Sequence, residues 1–237
     1  QHLLASQTIP SETAAIIIEP VLGEGGYFIP PKPFMKELRE ICNEYYILLI
    51  ADEAQSNFGR AGKFFAFEHF DVQPDILIIA KGLSPSFPLS DIGAPRKWME
   101  KWATGIHGNT YGGNTVTCVA ASATIKVLQN EFIANAAEMG IILMEGLKQI
   151  QQHYPLLRDV RGFGLLAGTE FTNPDSSPAS GLVKALIDYC RDHKLLLLNC
   201  SSYHNDIRWI PPLVVNKEQV EESLNIIESA LKYHIKQ

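Results

Sequence analysis

The sequence lacks long apolar runs, basic stretches and closely paired cysteines, and each absence removes a class of function. No stretch approaches the roughly 18 apolar residues that a membrane-crossing helix needs. The longest, Tyr45 to Ala51, is short and reads as a buried strand. Lys and Arg number 20 against 26 Asp and Glu, a net charge of −6. The basic residues are scattered and form no stripe, which argues against nucleic acid as the main partner. The four cysteines, Cys42, Cys118, Cys190 and Cys200, form no CxxC pair. That spacing argues against structural zinc, and the size of the chain argues against a disulfide framework. The opening residues do not read as a signal peptide, so a cytoplasmic location is the default expectation. No internal repeat or low-complexity segment is present.

What remains is a chain of 237 residues, 46% hydrophobic and 19% charged. That is ordinary for a globular enzyme and long enough for one large domain or two small ones. The first half alternates strand and helix. Ala14 to Glu19, Ile47 to Ala51 and Asp75 to Ala80 are apolar runs expected as parallel strands covered on both faces. Pro31 to Tyr46 carries Phe34, Met35, Leu38, Ile41 and Cys42 at helical spacing. Asn114 to about His153 reads as helix with a break near Asn130. Beyond it, Gly162 to Phe171 reads as one strand, Gly181 to His193 as a helix and Leu195 to Leu198 as a strand. Asn173 to Pro178 is a loop by its turn residues, and Lys217 to Tyr233 is a closing amphipathic helix. The expected domains are 1–130 and 131–237.

Polar groups follow each of the first three strands: Glu19, then Asp52 and Glu53, then Lys81. Ligands of open α/β sheets bind at the carboxyl ends of strands, so these clusters signal a site. A lysine and a carboxylate at neighbouring strand ends match what pyridoxal 5'-phosphate (PLP) requires. The lysine forms a Schiff base with the cofactor aldehyde, and the carboxylate keeps the pyridine nitrogen protonated. Gln55 follows the aspartate by about one turn.

Five strings occur in order: IEPVLGEGG from Ile18, ADEAQSNFGRAG from Ala51, PDILIIAKGLSPSFPLS from Pro74, HGNTYGGN from His107 and IRWIPPLV from Ile207. Together they resemble the class-III, or omega, aminotransferases, above all the branch related to 4-aminobutyrate aminotransferase. The resemblance implies a fold-type I α/β architecture. It comprises part of a large PLP-binding domain with a mostly parallel sheet, followed by a smaller α+β domain. It implies that Lys81 is the catalytic and Schiff-base lysine and that Asp52 pairs with the pyridine nitrogen. Gln55 would bond the ring hydroxyl, and Thr110 would reach the phosphate of a neighbouring subunit in a homodimer. Arg208 would bind a substrate carboxylate, with Glu24 as its switchable partner. Glu53, Arg60 and Arg161 are expected to be structural, and His107 to shape its loop. The implied reaction passes an amino group from a 4-aminobutyrate-like donor to an oxo-acid such as 2-oxoglutarate. No metal, nucleic acid or membrane is implied. A racemase of the same family, and a folded, self-associating remnant without catalysis, are the alternatives.

The strings depart from the family pattern at two places. Asn57 stands where glycine is usual, and Ser84-Pro85 replaces a small, glycine-containing pair after the lysine. The proline restricts Ser84 and removes a backbone donor near Lys81. The resemblance covers essentially the whole chain but begins inside the family's cofactor-binding domain. The phosphate-binding loop has no match among the 18 residues before Glu19.

Overall fold

The computed structural model describes residue 4 and residues 6–235; the outermost residues of the two expected domains lie outside that description. The chain divides into two compact units. The first comprises Gln1–Pro20, Pro30–Phe58 and Phe65–Asn130. The second comprises Val21–Ile29, Gly59–Phe64 and Glu131–Gln237, so it draws two short segments from the first half of the chain.

The first unit is built on a four-stranded sheet. Strands β1 (Ala15–Ile18), β2 (Leu48–Asp52) and β3 (Ile76–Ile79) run parallel in that order. A strand not read from the sequence, β4 (Asp91–Gly93), adds antiparallel to β3. Between β1 and β2 lies helix α1 (Lys32–Glu44), which buries Met35 and Cys42. Its end is fixed by chain geometry. Tyr45 donates to the Ile41 carbonyl at 3.0 Å, Tyr46 turns left-handed at φ 58°, and Ile47 donates to Cys42 at 2.9 Å. Asp75 ties three elements together, accepting from Arg39 Nη1 at 2.7 Å and from the Leu49 amide at 2.9 Å just before β3 begins. One expectation fails here. Strand β1 is not covered on both faces, since Ile17 is 62% exposed.

Helix α2 (Thr115–Val127) starts at Asn114, whose Oδ1 accepts from the Val116 and Thr117 amides at 3.0 and 3.3 Å. The expected break near Asn130 is a π-helical segment, Leu128–Phe132, followed by α3 (Ile133–His153).

The second unit holds an antiparallel sheet in the order β5-β6-β8-β7. Its strands are β5 (Leu157–Phe163), β6 (Leu166–Phe171), β7 (Leu198–Cys200) and β8 (Asp206–Trp209). Helices α3, α4 (Ser180–Asp192) and α5 (Lys217–Ile235) pack with it around Leu143, Leu147, Val183, Leu186, Ile207 and Leu231. Two sequence readings need correction. The single strand expected over residues 162–171 is the inner part of a hairpin. Gly164 turns at φ 54°, and Phe163 pairs with Leu166. The strand expected from Leu195 to Leu198 begins only at Leu198. The Leu195 amide is used to close α4 on the Cys190 carbonyl at 2.8 Å, after Lys194 has turned to φ 68°. Strand β8 was not expected as a strand.

Candidate active site

In the first unit, the acidic and basic groups singled out from the sequence lie at the carboxyl ends of two adjacent strands. Asp52 closes β2 and is in register with Ile78 of β3; Lys81 begins a 3-10 turn, Lys81–Leu83, after β3 ends. Asp52 is half-buried, and its Oδ1 accepts from the Ala54 amide at 3.0 Å, which opens the turn that carries Gln55. Gln55 is half-buried in that turn. Lys81 is exposed and holds a left-handed backbone at φ 46°, a conformation uncommon for any residue but glycine. Thr110 lies in the exposed turn that precedes α2.

A shell of buried polar groups supports this end of the sheet. Glu53 is fully buried; its carboxylate accepts from Ser56 Oγ at 2.5 Å and from the Ala66 and Phe67 amides at 3.1 and 2.8 Å. Burial pushes its carboxyl above the usual range, although these donors pull it back. Asn57 is also buried and donates from Nδ2 to the Ala80 carbonyl at 3.0 Å. Its Oδ1 lies where a Cβ on Gly82 would come within 2.9 Å. Asn57 thus holds the backbone just before Lys81 by a hydrogen bond and lies against Gly82 just after it. Ser84 Oγ is buried and finds no hydrogen-bond partner. A lysine after one strand and a carboxylate closing its neighbour suit an aldehyde cofactor with a protonated ring nitrogen.

The second unit carries the other pair. Arg208 lies in β8, and its Nη1 donates to Glu24 Oε1 at 2.6 Å. The two differ in burial: the Arg208 side chain is 18% exposed and that of Glu24 is 72% exposed. Tyr27, which is completely buried, also interacts electrostatically with Arg208. Burial pulls the guanidinium pKa down, but Tyr27 and Glu24 outweigh it and leave it above its ordinary value. Its Nε is buried without a partner. Along the same strands an apolar cavity of about 500 Å³ is lined by Leu143, Leu196, Leu198, Trp209, Val214 and others, with Arg208 among the charged residues at its wall.

The residues expected to be structural make the following contacts. Arg60 donates to the Leu165 carbonyl at 3.3 Å and to the Pro211 carbonyl. Arg161, itself buried, pairs with buried Asp206 at 2.5 Å and reaches the more exposed Asp159 at 2.8 Å and Glu170 at 2.9 Å. His107 is exposed and lies beside the Trp102 ring.

A model of the class-III aminotransferases matches residues 1–231. The chain belongs to this family. It is 38% identical over 230 residues to 5-aminovalerate aminotransferase of Pseudomonas aeruginosa, covering 96% of this chain and 54% of that protein. It is 38% identical over 229 residues to 4-aminobutyrate aminotransferase of Escherichia coli, covering 95% and 54%. An aminotransferase structure from Bacillus anthracis superposes with a TM-score of 0.91 at 31% identity, over 98% of this chain and 55% of that one. The class-III chain thus has the fold-type I architecture and spans little more than half the length of the relatives it matches. Among its described residues no helix is long and apolar enough to cross a membrane, and no group of His, Cys, Asp and Glu could hold a metal. Sequence reading passed over Tyr27, which is completely buried directly after the Gly25-Gly26 pair.

Proposed function

We propose that this chain supplies the lysine end and the carboxylate-binding end of a PLP-dependent aminotransferase acting on ω-amino acids and an oxo-acid. The observation that carries the reading is the placement of Asp52 and Lys81 at the carboxyl ends of two hydrogen-bonded parallel strands in a class-III chain. PLP, when bound, withdraws electrons from the carbon that bears the amino group. Asp52 holds the proton on the cofactor's ring nitrogen, and Gln55 orients the ring through its hydroxyl. Lys81 holds the cofactor by its amine and carries a proton to and from the substrate carbon. Thr110 serves the phosphate of a second copy in a homodimer. The domains divide near residue 130.

Arg208 offers a planar fork to a substrate carboxylate, and Glu24 occupies that fork when the carboxylate is absent. This pair favours transamination over racemisation. A transaminase must admit two substrates in turn, one presenting an amine and the other a second carboxylate, and an exposed glutamate can step aside for the latter. The relatives named for 5-aminovalerate and 4-aminobutyrate make ω-amino acids the donors of choice, with 2-oxoglutarate as acceptor. The four cysteines are all free, which suits a reducing compartment such as the cytoplasm.

The test is borohydride reduction of the purified chain with added PLP, followed by peptide mapping by mass spectrometry. Fixation on Lys81, lost in Lys81→Ala, is the expected result. Transamination of 4-aminobutyrate or 5-aminovalerate with 2-oxoglutarate should then follow. A chain that folds but fixes no cofactor on Lys81 would sink the reading for this chain and favour a non-catalytic, self-associating role.

A further inference from the structure

Arg161 and Arg208 lie in one row across the sheet of the second unit. Arg161 of β5 is in register with Gly168 of β6, and Gly168 is in register with Arg208 of β8. The glycine between them leaves a seat for the loop from Leu22 to Phe28. A Cβ at residue 168 would come within 3.0 Å of the Gly26 carbonyl oxygen and 3.1 Å of Tyr27 Cβ. Each arginine takes hold of that loop. Arg161 Nε donates to the Gly26 carbonyl at 2.8 Å, and Arg208 Nη1 donates to Glu24 Oε1 at 2.6 Å. The Arg161 guanidinium also lies 3.8 Å from the centre of the Phe28 ring.

The loop is closed on itself: the Leu22 amide donates to the Phe28 carbonyl at 2.9 Å, and the Tyr27 amide donates to Leu22 at 2.8 Å. The Glu24 carbonyl accepts from the Ser201 amide at 3.0 Å. That single hydrogen bond is a pivot, and the Arg161 anchor two residues further on stops rotation about it. Arg161 is in turn fixed to the strand that carries Arg208. Its Nη2 donates to Asp206 Oδ1 at 2.5 Å, and Asp206 shares a face of β8 with Arg208. Its Nη1 meets Asp159 and Glu170 at 2.8 and 2.9 Å, so all three guanidinium nitrogens are in use. A planar fork can hold the loop and the strand at once, whereas an ammonium of equal charge cannot. Gly26, at φ 119°, makes the close approach possible, since a Cβ there would lie 3.0 Å from Arg161 Nη2.

We infer that Arg161 is a positioning residue for the Glu24–Arg208 pair: it seats the loop over Gly168 so that the Glu24 carboxylate returns to the Arg208 fork whenever the fork is empty. The Glu24 side chain is 72% exposed, so burial does not hold it, and its return depends on where the loop starts it. The inference rests on the carboxylate-binding reading of Arg208 for its purpose, but not for its test.

The test follows rotation of the Arg208 guanidinium by nitrogen-15 NMR, assigned with Arg208→Lys, in variants of matched circular dichroism. Loss of an exposed ion pair predicts roughly threefold faster rotation in Glu24→Gln. Arg161→Lys, which keeps the charge, should give the same change, and the double variant no more than either alone. Gly168→Ala unseats the loop from below and should match them; it replaces Arg161→Lys if that variant does not fold. Wild-type rotation in Arg161→Lys or Gly168→Ala, or an additive change in the double variant, overturns the inference. So does an equal change in Leu143→Ala, which loosens the core of the same unit. A parallel calorimetric titration with glutarate tests the purpose. With Glu24 unseated, binding should tighten roughly threefold in Arg161→Lys, as in Glu24→Gln. Weaker binding in Arg161→Lys would mean that it acts on Arg208 and not through Glu24, and overturns the inference. The expected rotation changes with no glutarate binding to any form would uphold the positioning role and remove the carboxylate reading alone.

Discussion

The two units solve different problems with similar material. The second closes helices α3, α4 and α5 on one face of an antiparallel sheet, and its buried apolar side chains form one continuous cluster. The first carries the lysine end on a parallel sheet. It buries a smaller set, including Met35, Ile47, Leu49, Phe58 and Phe70, and leaves Ile17, Ile92, Val116 and Val119 well exposed. Function is distributed in the opposite sense. Lys81 lies on the less enclosed unit, held by specific polar contacts rather than by bulk burial. Arg208 lies on the better packed unit, where the sheet itself fixes its backbone. The comparison shows two ways to aim a side chain: by a hydrogen-bonded shell, or by a strand in a filled core.

Truncation in the filled core should have the largest effect. Leu143→Ala in α3, at a site 1% exposed, is expected to cost about 3 kcal/mol by urea unfolding. A loss below about 1 kcal/mol would show that the second unit is looser than its packing implies. In the first unit the comparable effect should come from a polar residue. Glu53→Ala would orphan the Ala66 and Phe67 amides and cost about 2 kcal/mol.

Glu53 also predicts a pH dependence. Burial raises its folded pKa above the ordinary 4.5, so between those values the folded chain holds more protons than the unfolded one. Its contribution to stability therefore falls as pH rises through that window. Glu53→Gln should lose this slope in denaturant titrations at a series of pH values; an unchanged slope would assign it to other groups. The smallest effect should be at the exposed strand face, where Ile17→Ala should stay within about 0.5 kcal/mol of wild type in the same titration.

How much of this was legible depends on whether a residue's role is local. Asp52 and Lys81 follow apolar runs, and strand ends announce themselves in sequence, so their placement at the sheet's carboxyl edge was readable. Breaks in continuous apolar text were not. The run FGLLAG hides a hairpin because the turn at Gly164 is followed at once by Leu165 and Leu166. The four leucines from Leu195 carry no punctuation, yet Leu195 closes a helix, Leu196 is 82% exposed and only Leu198 enters a strand. Tyr27 was the least legible. Its burial depends on the glycine at residue 168, where a Cβ would come within 3.1 Å of Tyr27 Cβ, and nothing in the sequence marks that neighbour.

The left-handed backbone at Lys81 has one more consequence. Glycine would occupy that position with less strain, and alanine or lysine with more. Folding and chemistry therefore ask for different amino acids at the same place. A search for more stable versions of this chain, guided by stability alone, would favour removing the one amine on which the proposed reaction depends. Thermostability screens applied here would select inert proteins unless they also required cofactor capture.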